Sequence, residues 1–536
     1  MSRFDRRRGR LLLSALATSM LLVSAGSATA GPLPSVASAG TTYYVDCANG
    51  NDSASGQSPD EAWRSLAKVS SVTFSSGDEI LFRRGTRCHG VLAPRGSGSP
   101  GSPIVVDAYG SGPRPILAGD GARATVYLHN VQQWELHHLK ITNHGPPPQP
   151  SEKRNGIWVM LDSFGTGHHY VIEDVTIDDV NSSRTTPAGD TSTGDFENYS
   201  KDSGGIIFDA SGSNGFDDVL LQHDQLRAVN REGMYISGSA PTTALVIRDN
   251  RLQQIGGDGI VAVTSSGALI DHNVVAGFDT AGTSFNAGVW AYNSTDAVFQ
   301  FNDVSGGQHG PLDSMAYDID GSNHHLTFQY NLSHDNSGGF LMLCNDLSPL
   351  SAGSGNGGSV VRYNISQNDH AIVRGVIDAP LACGPENDIS IYNNTVFTKD
   401  PRVTTLVENT NNSTMHLANN ILVGPGPSAM IDDQAGTWSN DLYFDVTCLS
   451  RPADTHAVVA DPLFVAPGSA TSLGHADGYR LRSGSPALGG GVPIPGDGGR
   501  DYYGNPIPAI PNIGAYQGAG ITAPLPLSLP GVAPGC

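Results

Sequence analysis

A right-handed parallel β-helix is the fold this sequence predicts, and three observations lead to it. Seven asparagines share one local frame, short alternating apolar runs separate them, and no long helical stripe interrupts them. Asn250, Asn273, Asn302, Asn331, Asn364, Asn394 and Asn420 each follow an apolar residue by three: Ile247, Ile270, Phe299, Phe328, Val361, Ile391 and Leu417. Successive steps are 23, 29, 29, 33, 30 and 26 residues, and Asp224 and Asp174 extend the series towards the N-terminus. A period of this size marks a chain that stacks on itself lap by lap. An asparagine amide can bond the backbone at a tight corner and also the same amide one coil away.

The runs beside each frame, such as residues 244–247, 297–301, 326–330 and 359–363, are rich in Val, Ile, Phe, Tyr and Thr and break at Gly, Asn or Asp. That is strand chemistry rather than helix chemistry. A second strand opens after a small residue, as at Gly156, Gly233, Gly259 and Gly288. Roughly nine or ten coils follow from the repeat count. A leucine-rich horseshoe would need a steadier Leu pattern at ~20–29 residues, and a propeller a period of ~40–45.

In chain order, residues 1–30 read as a secretory leader. Arg3, Arg6, Arg7, Arg8 and Arg10 make the basic region, an apolar stretch starts at Leu11, and Ala28-Thr29-Ala30 offers a cleavage site. Residues 31–125 form an opening module, 126–425 the coils, and 426–536 a closing segment. Within the coils, residues 183–203 and 345–358 are expected to be projecting loops.

The opening module carries Tyr43-Tyr-Val-Asp-Cys47, Asn49-Gly-Asn-Asp52, Pro59-Asp-Glu-Ala-Trp63 and Gly77-Asp-Glu-Ile-Leu-Phe82 in order. The closing segment carries Asp461-Pro-Leu-Phe-Val465, Gly478-Tyr-Arg-Leu481 and Asn512-Ile-Gly-Ala-Tyr516. Together these resemble the two ends of secreted bacterial carbohydrate-active proteins with a pectate-lyase-like parallel β-helix. The resemblance implies a short capping helix including Leu66 to Val69. It implies little about reaction, because hydrolases, lyases and non-enzymes share these ends. The fixed catalytic motif set of the pectin-hydrolysing family, a tandem aspartate pair together with Gly-His-Gly, is missing, so no catalytic residue carries over.

Without its first thirty residues the chain holds 25 basic and 50 acidic side chains, a net charge of −25. Such a surface repels nucleic acid and anionic membranes and disfavours strongly anionic polysaccharides. Six cysteines behind a secretory leader point to disulfides. Proximity favours Cys47–Cys88, Cys344–Cys383 and Cys448–Cys536 among 15 possible pairings. A secreted monomer is expected.

Strand alternation then places the chemistry. With Ile157, Val159, Met234, Ile236, Ile260 and Val289 inward, Trp158, Tyr235, Trp290 and Tyr292 face outward as a sugar platform or lie packed beneath loops. On the next coil Tyr317 and Ile319 are inward, so Asp318 and Asp320 project together. Two residues along a strand span ~6.6 Å, at the low end of the ~6.5–9.5 Å carboxylate separation of inverting glycosidases and above the ~5–5.5 Å of retaining ones. A calcium site or a solvated acidic edge is the competing reading of that pair. Glu232 and Asp258 precede outward strands and are further catalytic candidates. His309, His334, His370 and Arg374 are candidate substrate ligands, and Asp313, Asp335, Asp346 and Asp378 border the same coils.

These residues predict a glycoside hydrolase acting on a polysaccharide or oligosaccharide by carboxylate acid–base catalysis, without a cofactor. The first alternative is a lyase with an Arg base, calcium-assisted or not. It is disfavoured because Lys140, Lys153, Lys201 and Lys399, the lysines of the coils, are expected away from the groove. The second alternative is a non-enzymatic glycan-binding surface protein.

Overall fold

The computed structural model describes residues 40–184, 201–282, 285–308, 313–345, 357–370, 374–447 and 449–522. The expected leader, His309, Asp346, Cys448 and Cys536 lie outside them. The described chain winds as a three-faced parallel β-helix. One face is a 14-stranded sheet whose strands follow one another in chain order, from Arg87–His89 to Val458–Val459. The other two faces form one 24-stranded sheet, because a single 17-residue strand, Glu232–Arg248, runs through both. Its first part pairs with Gly204–Ala210 and its second with Gly215–Gln222. The 14-stranded face has more laps than the repeats suggested, since the outermost coils carry no ladder asparagine.

The asparagines are the spine of the fold. Asn250 donates its backbone and side-chain N–H groups to Asn273 Oδ1 at 3.1 and 3.0 Å, and its amide also bonds the carbonyl of Leu221 at 3.0 Å. The same pattern repeats from Asn273 through Asn394. Asn420 donates to Asp441, the first acid after the asparagines, whose own N–H bonds Asp454 Oδ2 at 2.9 Å. Asp224 belongs to the column, its N–H bonding Asn250 Oδ1. Asp174 does not. The N–H of Val175 bonds Asp224 instead, so the ladder position of that coil falls one residue later.

Asp174 takes the corner, with φ 54°, as do His223, Asp249, His272, Phe301, Tyr330 and Tyr363 at their own corners. A left-handed corner costs a non-glycine residue roughly 1–2 kcal/mol. The three buried hydrogen bonds made by the next residue offset it. Inside, like side chains stack from coil to coil, as Phe299 on Phe328 with ring centroids 4.4 Å apart.

Both ends follow from the need to cover an open core and an unpaired edge. The helix Leu66–Ser70 buries Leu66 and Val69, and Ser65 caps it by accepting from the Lys68 N–H. The closing segment runs back along the flank of the coils. Tyr479, Tyr502 and Tyr516 pack with Tyr330, Tyr363 and Tyr392 in a second core. Asn393 and Asn419, corner residues, bond the carbonyls of Asn512 and Val492. Cys47–Cys88 and Cys344–Cys383 are disulfides. Among the described residues no helix is long and apolar enough to cross a membrane.

Candidate active site

One outward column on a face of the β-helix carries the site. In parallel register it reads Tyr127, Trp158, Ile207, Tyr235, Val261, Trp290, Asp318, Met342, Asp378, Glu408 and Asp432, one residue per coil. Aromatic and aliphatic side chains occupy its first half and acids most of its second. A cavity of about 690 Å³ opens where the two meet. Its floor is Tyr235, Trp290, Asp318 and Met342, and Tyr292 and Asp320 lie beside them. Lys201, Phe285, Asp313, Arg374 and the Cys344–Cys383 disulfide form the walls. The disulfide ties the end of the strand Gly339–Leu343 to the loop after the next coil's strand, Gly375–Ala379.

Tyr235, Trp290, Tyr292, Asp318, Asp320 and Arg374, drawn from four of six successive coils, therefore meet around one cavity. Trp158 does not reach it: its ring stacks on Tyr127 and is covered by the Arg123 guanidinium at 4.1 Å. His334 ends the strand Leu332–His334 of the 14-stranded face and pairs with Asp303 and Asp335. His370 follows that face's next strand and pairs with Asp400. Neither histidine lines the cavity, because a corner shared along the chain opens onto a different face of the coil.

Glu232 and Asp258 are enclosed behind the wall rather than exposed in it, both at 0% accessibility. Glu232 accepts from Arg231 at 2.9 Å and from the Asp258 N–H at 2.7 Å. Asp258 in turn accepts from Trp290 Nε1 at 2.8 Å, the Ala287 N–H at 2.7 Å and Lys201 Nζ at 2.5 Å. Lys201 thus lies over the Trp290 ring, 5.0 Å from its centroid. The expectation that every coil lysine lies away from the groove is wrong for Lys201, and the indole face expected to stack a sugar is occupied by its ammonium.

The electrostatics favour neutral acids. Asp318 is only 5% exposed, and its Oδ1 has no hydrogen-bond partner among the described residues. Burial, then the charges of Asp320, Asp313, Glu386 and Asp258, push its carboxyl well above the usual range. Burial pushes Asp313 up to about 7 against the opposing charge of Arg374. Burial and Asp258 raise Glu232 to about 8, and burial raises Asp279 to about 8. Two coils beyond Asp318, burial takes Asp378 to about 7, although Arg374 Nη1 lies 3.4 Å from it. Asp320 accepts from the Gly321 N–H at 2.7 Å, and Asn323 closes the turn by donating to the Asp320 carbonyl at 2.6 Å. Among the described residues no group of three or more His, Cys, Asp or Glu side chains is arranged to hold a metal ion.

Lys201 and Phe285 are site residues that sequence reasoning missed. Both come from irregular segments, where alternation says nothing about direction. A lone lysine in an acid-rich loop was the one available signal.

Residues 204–356 match a family model described as a right-handed beta helix region. A lacto-N-biosidase from Bifidobacterium longum subsp. longum is 26% identical over an alignment covering 95% of this chain and 39% of that protein. The chain thus spans about two fifths of that relative's length. Two crystal structures of a GH136 lacto-N-biosidase from Eubacterium ramulus share the fold. The selenomethionine derivative has a TM-score of 0.55 at 20% identity, covering 75% of this chain and 67% of that one. The native protein has 0.53 at 20% identity, covering 74% and 66%.

Proposed function

We propose that the chain is a glycoside hydrolase that binds part of an oligosaccharide in the 690 Å³ cavity and cleaves it with the carboxyl groups of Asp318 and Asp320. The carrying observation is Asp318: a buried carboxyl at the cavity floor, with an oxygen unpartnered among the described residues and acids around it. A carboxyl kept protonated by its surroundings can donate to a glycosidic oxygen. Asp320, at the more open edge, is the second carboxylate, assigned to activate water. Arg374 supplies donors for sugar hydroxyls. Asp258 and Glu232 act from behind the wall by fixing Lys201 and Trp290. The lacto-N-biosidase similarity over nearly the whole chain supports a glycosidase, and the walls on both sides support a short saccharide over a long one. Secretion is part of this proposal, supported by the disulfides.

Asp318→Asn should lower turnover on a cleavable oligosaccharide by about 10²–10⁴-fold, the usual worth of a general acid, without lowering the thermal midpoint. Undiminished turnover would remove Asp318 from the reaction.

Lys201 in the cavity revives the lyase reading, which needs a base beside a uronate. Its ammonium, however, is bonded to a buried carboxylate and donates rather than accepts. A panel of neutral and uronate-containing glycans should yield new reducing ends from the neutral members and no ultraviolet absorbance from unsaturated products. Absorbance with Lys201-dependent rates would favour elimination instead.

A further inference from the structure

Phe285 sits at the cavity wall, 46% exposed, in the left-handed backbone region with φ 61°. Both features are unfavourable. A left-handed conformation crowds the Cβ of a bulky residue against its own backbone, and an aromatic ring half in water forgoes part of the stabilisation that burial would give it. Such a conformation persists only where the surroundings over-determine it. Here they do. Lys201 Nζ donates to the Phe285 carbonyl at 3.4 Å, Asn286 donates to buried Asp279 at 3.0 Å, and the Ala287 N–H bonds Asp258 at 2.7 Å. Lys201 is fixed by the same Asp258. Three anchors thus converge on the backbone around one exposed ring, while the Trp290 face is already taken by the ammonium.

We propose that Phe285 is the stacking platform of the cavity, selecting an uncharged pyranose ring that presents an apolar face, and that Lys201 is the positioning residue that holds it there. This rests on the saccharide-binding reading of the cavity. Phe285→Gly is the informative variant, since glycine accepts the left-handed conformation without strain. It should keep or raise the thermal midpoint yet raise KM about tenfold, the worth of covering roughly half a phenylalanine. kcat should fall by less.

Phe285→Trp should keep the parent KM and Phe285→Leu, apolar but not flat, should not. Lys201→Met should weaken binding as Phe285→Gly does, with partial rescue by Lys201→Arg. Affinity read from tryptophan emission during titration with the same neutral oligosaccharides should follow KM. Unchanged KM and unchanged titration in Phe285→Gly would overturn the platform and leave the hydrolase standing. If the parent cleaves nothing in the panel but binds saccharide, and Phe285→Gly abolishes binding, the hydrolase falls and the platform stands. Neither cleavage nor binding would overturn both.

Discussion

At the scale of single residues, the asparagine column concentrates a large share of the fold's specificity in few side chains. Asn331 receives the N–H groups of Asn302 and donates to Asn364 Oδ1 and the Phe299 carbonyl, all without access to water. Removing it strands several buried groups at about 1–3 kcal/mol each. Asn331→Ala is therefore expected to lower unfolding free energy by at least about 2 kcal/mol in urea titrations. A loss under about 0.5 kcal/mol, the size of a surface substitution, would show that water replaces the amide. The frame that revealed this column was legible because the strand residue three positions earlier faces the core, and so is apolar, while its carbonyl accepts from the amide of the neighbouring coil. It failed at Asp174, where the corner residue was mistaken for its neighbour, since an acid suits either place.

At the scale of elements, the cavity depends on loops more than on strands. The strand Met315–Ile319 presents Asp318, but the chamber around it is built by Lys201, Phe285 and the segment closed by Cys344–Cys383. The disulfide spans 39 residues, and in a chain-entropy account such a loop closure is worth roughly 3–4 kcal/mol. Its place on a loop suggests that the effect is local. Cys344→Ala with Cys383→Ala, which leaves Cys47–Cys88 in place, should raise KM severalfold while leaving the main thermal transition near its original temperature. A collapse of the whole transition would mean the bond holds the coils instead. Loop-borne groups were not readable beforehand, because alternation assigns direction only inside strands.

At the scale of the whole molecule, charge and burial set a pH dependence. Carboxyls raised by burial, Glu232 and Asp279 to about 8 and Asp313 and Asp378 to about 7, hold protons in the fold that the unfolded chain releases near pH 4. Their stabilisation is complete below about pH 4 and is lost as pH rises through 7 to 8. His334 adds the same sign: burial lowers its pKa, but Asp303 and Asp335 together lift it to about 10, so its contribution is present below its unfolded value and lost on the alkaline side. Glu135, held low mainly by His137, contributes stability above its unfolded value that is lost in acid. The thermal midpoint should therefore peak in mildly acidic buffer, decline steadily towards pH 8, and drop again below about pH 4. A midpoint still rising from pH 6 to 8 would contradict protonated carboxyls in the fold.

The amino-acid sequence alone determined the lap, the corner and the alternation: a parallel β-helix, its asparagine spine, and the strand column that brings Tyr235, Trp290 and Asp318 into line. These are local rules, written in spacing and side-chain size, and each lap repeats them. Tertiary packing decided the rest: which outward groups lie open and which are roofed over, that Glu232 and Asp258 lie enclosed behind the wall, and that Lys201 crosses to Trp290. Those outcomes depend on how irregular loops of unequal length fold back over the stack, and no periodic signal encodes the direction in which a loop returns.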